Sequence, residues 1–101
     1  MAVWIRTNDD GETIAETVRP ADGKSFQLRE LQSFVGGSIE ALRLTGGEIM
    51  WLNEDGKNLE LPYNTVATLI ALERSGIAGD DFIVGAVLVA NHAESGEGEQ
   101  Q

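Results

Sequence analysis

Glu40, Asn53, Glu54 and Lys57 are the polar residues of this chain that a single hairpin could carry to one place. Carboxylates accept hydrogen bonds, an amide both donates and accepts, and an ammonium supplies a point charge, so the set is suited to recognising a small polar ligand. Tyr63 and Asn64 follow within one further turn of chain, and an exposed Tyr63 beside Pro62 would add a flat aromatic face. A plainer account competes with this one. Asn53 to Lys57 would be a turn whose side chains satisfy one another, with Glu40 paired to Lys57 or Arg43. Glu40 and Glu54 could act as an acid and base pair only if their surroundings drove their pKa values apart, and nothing in the sequence selects that outcome. His92 is the sole histidine and stands at the edge of a polar tail, without the neighbours that a general base or metal ligand needs. No Ser or Thr occupies a nucleophile elbow. Gly36-Gly37 and Gly46-Gly47 do not stand between a strand and a following helix, as a dinucleotide fingerprint requires. The expectation is therefore no enzyme, no cofactor and no metal, with Glu40, Asn53, Glu54, Lys57, Tyr63 and Asn64 as a ligand or partner site.

The elements that must position these residues are legible from period and punctuation. Ala2 to Thr7 and Glu12 to Arg19, rich in Val, Ile, Thr and Trp, read as a hairpin around Asn8-Asp9-Asp10-Gly11. Leu28, Leu31, Phe34 and Val35 have helical spacing, and Gly36-Gly37 closes that helix because glycine takes the left-handed conformation without steric cost. Ser38 to Leu44 and Glu48 to Asn53 form a second hairpin. If Gly46-Gly47 is a two-residue turn, Leu44 faces Ile49, Leu42 faces Trp51 and Glu40 faces Asn53, with one apolar face. A three-residue turn would set Arg43 against Ile49, a poorer match. Glu54-Asp55-Gly56-Lys57 is a further reversal, leading into Leu59-Glu60-Leu61-Pro62 as an extended arm. Asn64 caps a helix to about Arg74 with Val66, Leu69, Ile70 and Leu72 as its buried stripe, closed by Gly76. Phe82 to Val89 is a nearly unbroken apolar run, which predicts a central strand covered on both faces. The order ββ-α-ββ-α-β predicts a single α+β domain over residues 1–90, a largely antiparallel sheet with two helices packed on it. Residues 91–101 read as an acidic, disordered tail.

Composition narrows the function. At 101 residues there is room for one core, and 42% hydrophobic content is ordinary for a globular domain. Apolar runs stay far below the ~18 residues of a membrane span, and the N-terminus lacks the pattern of a secretory signal, so a cytoplasmic protein is expected. Without cysteine there is no disulfide, thiolate ligand or redox pair. Seventeen acidic residues against seven basic ones leave a net charge of −10, which opposes direct binding to nucleic-acid phosphates.

Five blocks carry a resemblance over about Leu28 to Val89. They are Glu30-Leu31-Gln32 running into Val35-Gly36-Gly37-Ser38-Ile39-Glu40, then Asn53-Glu54-Asp55-Gly56-Lys57, Leu61-Pro62-Tyr63-Asn64 with Ala67, and Ile83-Val84-Gly85. Together they resemble a family of small proteins of unknown function encoded mainly by bacteriophages, plasmids and other mobile elements. Two positions depart from it: Gln27 stands where Ser or Thr is expected before the first helix, and Thr65 where a basic residue is expected after Asn64. The resemblance implies a mobile-element accessory protein in the host cytoplasm. With the polar set it suggests a non-enzymatic binding module for a small polar ligand or a host protein. One version is an anti-defence protein that sequesters a nucleotide signal as a homo-oligomer. The alternatives are an acidic mimic of DNA and a structural or assembly protein.

Overall fold

The computed structural model describes residues 2–77 and 79–94. The elements run β1 (Ala2–Thr7), β2 (Thr13–Val18), α1 (Leu28–Val35), β3 (Ile39–Arg43), β4 (Glu48–Asn53), α2 (Thr65–Arg74) and β5 (Val87–Asn91). One antiparallel sheet has the strand order β2-β1-β5-β4-β3, so β5 lies at its centre between β1 and β4. The α+β class and the ββ-α-ββ-α-β order follow the sequence reading.

The two helices lie on opposite faces of the sheet and seal two cores. Phe26, Leu31 and Val35 pack with Ile49, Trp51, Leu88 and Ala90 on the α1 face. Met50, Val87 and Val89 pack with Ala67, Ala71 and Ile83 on the α2 face. Alternation along β5 explains the split, since successive side chains of a strand point to opposite faces. Trp4 belongs to the α1 side: its Nε1 donates to Phe34 O at 3.0 Å and its ring meets Phe34 edge-on at 5.2 Å. That commits Trp4 to packing, and Trp51, 4% exposed, is likewise core.

Leu31, Phe34 and Val35 of α1 pack into the core as their spacing suggested, and each helix departs from its expected stripe only in part. In α1, Leu28 is exposed, and Phe26, just before the helix, fills the core in its place. With Gln27 at the cap, the start of α1 is held from the first turn: Glu30 accepts from Gln27 N and from Ala21 N, both at 2.8 Å. Asp22 adds bonds from Lys24 N and Ser25 N, which lower its pKa below the ordinary carboxylate value. In α2, the buried residues are Ala67, Thr68 and Ala71, while Leu69 is exposed. Val66 and Ile70 of the expected stripe are partly buried against the same core, beside Ala67 and Ala71.

Two further corrections concern loops. The extended arm is instead a wound turn: Leu61 N donates to Gly56 O and Glu60 N to Lys57 O, the pair of bonds that ends a helix on a left-handed residue. That residue is Glu60, at φ 55°. Glu60→Gly is expected to raise stability by about 0.5–1 kcal/mol, since glycine avoids the left-handed penalty; a urea midpoint checks it. The apolar run Phe82 to Val89 is interrupted at Gly85, at φ 77°, so β5 starts only at Val87 and Val84 makes an isolated bridge to Tyr63. At the other end, Asn91 closes β5, and Glu94 O accepts from Phe26 N at 2.9 Å, tying the chain after the strand back to the α1 side. Residues 95–101 of the expected tail lie outside the described residues.

Candidate functional site

The β3–β4 pairing is the one that the sequence reading set aside. Ile39 pairs with Asn53, Glu40 with Leu52, Leu42 with Met50 and Arg43 with Ile49. Leu44 N donates to Glu48 O, so Thr45, Gly46 and Gly47 form a three-residue loop, with both glycines at positive φ. The reason lies in β4, whose residues Ile49, Met50 and Trp51 are all buried. A strand covered on both faces has no single apolar side to match. Leu42 and Leu44 join Met50 under α2, while Ile39 joins Trp51 under α1. Glu40 and Asn53 are therefore not cross-strand partners, and their side chains belong to opposite faces of the sheet.

A concavity nevertheless gathers most of the predicted set. After α2 the chain returns along residues 79–84 and bridges to Tyr63, leaving a cavity of about 230 Å³ against the ends of β3 and β4. Leu42, Leu52, Ile77, Ile83 and Val84 give it apolar walls. Glu40, Asn53, Glu54, Lys57 and Asp81 supply the polar part, and Phe82 the aromatic one. The Glu40 and Glu54 side chains are exposed and have no ion-pair or hydrogen-bond partner among the described residues. Lys57 is committed. Its Nζ bonds Asp81 and sits 4.5 Å from the centroid of the Phe82 ring. The bond from Lys57, followed by that from Phe82 N at 2.8 Å, holds the Asp81 carboxyl below its ordinary pKa.

The remaining predicted residues have other duties. Asn53 touches the cavity wall, but its amide is buried in structural bonds: Nδ2 donates to Val35 O at 3.2 Å and Oδ1 accepts from Asp55 N at 2.8 Å. It thereby ties the end of α1 to the turn after β4. Asn64 is fully buried away from the cavity. Its Oδ1 caps α2 through Ala67 N at 3.0 Å, and its Nδ2 donates to Ile5 O at 3.1 Å and Gly85 O at 2.8 Å. Tyr63 is 52% exposed and lies beside the cavity, its ring 5.8 Å from that of Phe82 with a 35° tilt. Asp81 and Phe82 were not anticipated as site residues. Their only sequence signal was a charged pair set directly against an aromatic at the start of an apolar run.

The blocks that carry the family resemblance prove to be packing devices. A Cβ on Gly37 would stand 2.9 Å from Asn53 Nδ2, one on Gly56 2.9 Å from Val84 Cγ2, and one on Gly85 2.7 Å from Leu61 Cδ1. Each glycine lets one block close on another. Among the described residues no group of three or more His, Asp or Glu side chains could hold a metal ion, and no helix is long and apolar enough to cross a membrane.

No curated protein and no solved structure matches this chain. The model of one family, described as a domain of unknown function (DUF3846), matches residues 4–100. The match takes in every element from within β1 to β5 and both walls of the cavity, and on that evidence the chain belongs to the DUF3846 family.

Proposed function

We propose that this protein is a non-enzymatic binding module whose cavity between the β3–β4 end and residues 79–84 takes a cationic group on an apolar stem. The observation that carries the reading is the pairing of apolar walls with two carboxylates, Glu40 and Glu54, that lack partners among the described residues. Three carboxylates face one ammonium there, and that ammonium is already bonded to Asp81. An ammonium or guanidinium would meet charge at the mouth while its stem covers Leu42, Leu52 and Ile83.

The same charge balance weighs against a nucleotide signal as ligand. Like charges about 4 Å apart cost between about 1 kcal/mol in water and 4 kcal/mol near a protein surface, and the base of the described lining, Lys57, is already bonded to Asp81. In the phage or plasmid setting that the resemblance implies, the reading becomes an accessory protein that engages a cationic metabolite or a basic host protein.

Calorimetric titration with agmatine, a four-carbon stem with a guanidinium at one end and an ammonium at the other, tests the reading. Saturable binding is expected, weakened about tenfold or more in the Glu40→Gln, Glu54→Gln double variant, with ADP-ribose giving no heat. A tenfold loss corresponds to about 1.4 kcal/mol, within reach of two charge-assisted contacts. Absence of agmatine binding, or binding indifferent to both substitutions, would refute it.

A further inference from the structure

We infer that the cation is presented by another protein, as an arginine side chain flanked by apolar residues in an exposed segment. The inference rests on the cavity reading above and adds a surface to it. Tyr63 and Phe82 form a tilted ring pair, 52% and 40% exposed, of which only Phe82 lines the cavity. A free small cation would occupy the cavity and leave Tyr63 unused. A polypeptide that places a side chain in the cavity must run over the rim, and there it meets the Tyr63 ring. Exposed aromatic residues beside a pocket are the anchors that protein interfaces favour, since they bury much area and lose little rotamer freedom.

The protein's own Lys57 shows what the site recognises. Its ammonium lies against an aromatic face and a carboxylate at once, over Phe82 and on Asp81. Arginine suits the same combination better than lysine, because its planar group stacks on a ring while forking toward carboxylates. Tyr63 offers the adjoining ring with no cation over it among the described residues, and Glu54 and Glu40 offer the carboxylates. The net charge of −10 draws a basic segment toward this chain over distances of a Debye length, a steering that a neutral partner would not feel.

The probe is an acetylated, amidated peptide of sequence Ala-Leu-Arg-Leu-Ala, titrated beside agmatine and beside the same peptide with Glu in place of Arg. The Arg peptide is expected to bind at least tenfold tighter than agmatine, and the Glu peptide not at all. Tyr63→Ser, a change on the exposed rim, is expected to reduce peptide affinity about tenfold more than it reduces agmatine affinity. Agmatine binding without a peptide advantage, or equal losses for both ligands on Tyr63→Ser, would overturn this inference and leave the cavity reading intact. Failure of both ligands would remove the two together. Self-association seen by sedimentation equilibrium and abolished by Tyr63→Ser would assign the surface to a second copy of the chain and overturn the inference as well.

Discussion

Gly85→Ala is expected to lower the stability by about 3 kcal/mol, enough to shift the thermal midpoint of a domain this size by more than about 10 °C. Two costs combine. Gly85 sits at φ 77°, where a side chain pays about 1 kcal/mol or more against the preceding carbonyl geometry. Its new Cβ would also stand 2.7 Å from Leu61 Cδ1 and 3.4 Å from Leu61 Cβ, an overpacking that costs about 1–3 kcal/mol. The backbone cannot drift to relieve this, because Gly85 N donates to Pro62 O at 2.7 Å and Gly85 O accepts from Asn64. Urea denaturation measures the loss. The two costs separate in a double-mutant cycle with Leu61→Ala. Removing the Leu61 methyls should recover roughly 1–2 kcal/mol of the Gly85→Ala penalty while leaving the backbone part. Strict additivity of the two substitutions would show that the contact does not matter and that the strain is all in the backbone.

Asn64→Ala should cost about 3–4 kcal/mol, because one fully buried amide performs three tasks. Its oxygen caps α2, a contribution of about 1 kcal/mol, and its nitrogen satisfies two buried carbonyls on β1 and on the Gly85 loop. Asn64→Asp separates the tasks. The N64D carboxylate keeps an acceptor for Ala67 N but turns an oxygen toward the Ile5 and Gly85 carbonyls, in a site without solvent. Burial and those carbonyls would raise the folded-state pKa of the new carboxyl above its unfolded value of about 3.9. The sign then follows: below about pH 4 the group is protonated in both states and can donate one bond, and the penalty grows as pH rises through the unfolded pKa to the folded one. At pH 7 the N64D variant is therefore expected to be less stable than N64A, with the gap closing toward pH 4 in thermal melts of both variants. An N64D protein at least as stable as N64A at neutral pH would mean that the site does not penalise a carboxylate oxygen turned toward the Ile5 and Gly85 carbonyls.

Both positions lie inside blocks that carried the family resemblance, and both turn out to hold elements together. Asn53, in another such block, does the same for α1 and the turn after β4. Shared residue patterns in a small domain report close packing as readily as chemistry, since a glycine that admits a neighbour or an amide that ends a helix tolerates few replacements. What remains of the candidate site is its exposed part, Glu40, Glu54 and Lys57 with Tyr63 beside them, joined by Asp81 and Phe82 from a segment far along the chain. That segment could not be assigned to the site beforehand, because only the return of residues 79–84 past the end of α2 brings it there.

Helices, strands and most turns were legible because they depend on neighbours in sequence: apolar period, the Asn64 cap, and glycines at Gly11, Gly36 and Gly46 where φ is positive. The central place of β5 was legible too, from an apolar run that needs cover on both faces. The same signal stood in Ile49-Met50-Trp51-Leu52, and reading that strand as one-sided is what misplaced the hairpin by one residue. Register, the small-residue face of α2 and the cavity were settled by tertiary structure alone. A single strand pair is indifferent to which of its faces is covered, and α1 and α2, packing from opposite sides, decide it for every residue of β4 at once.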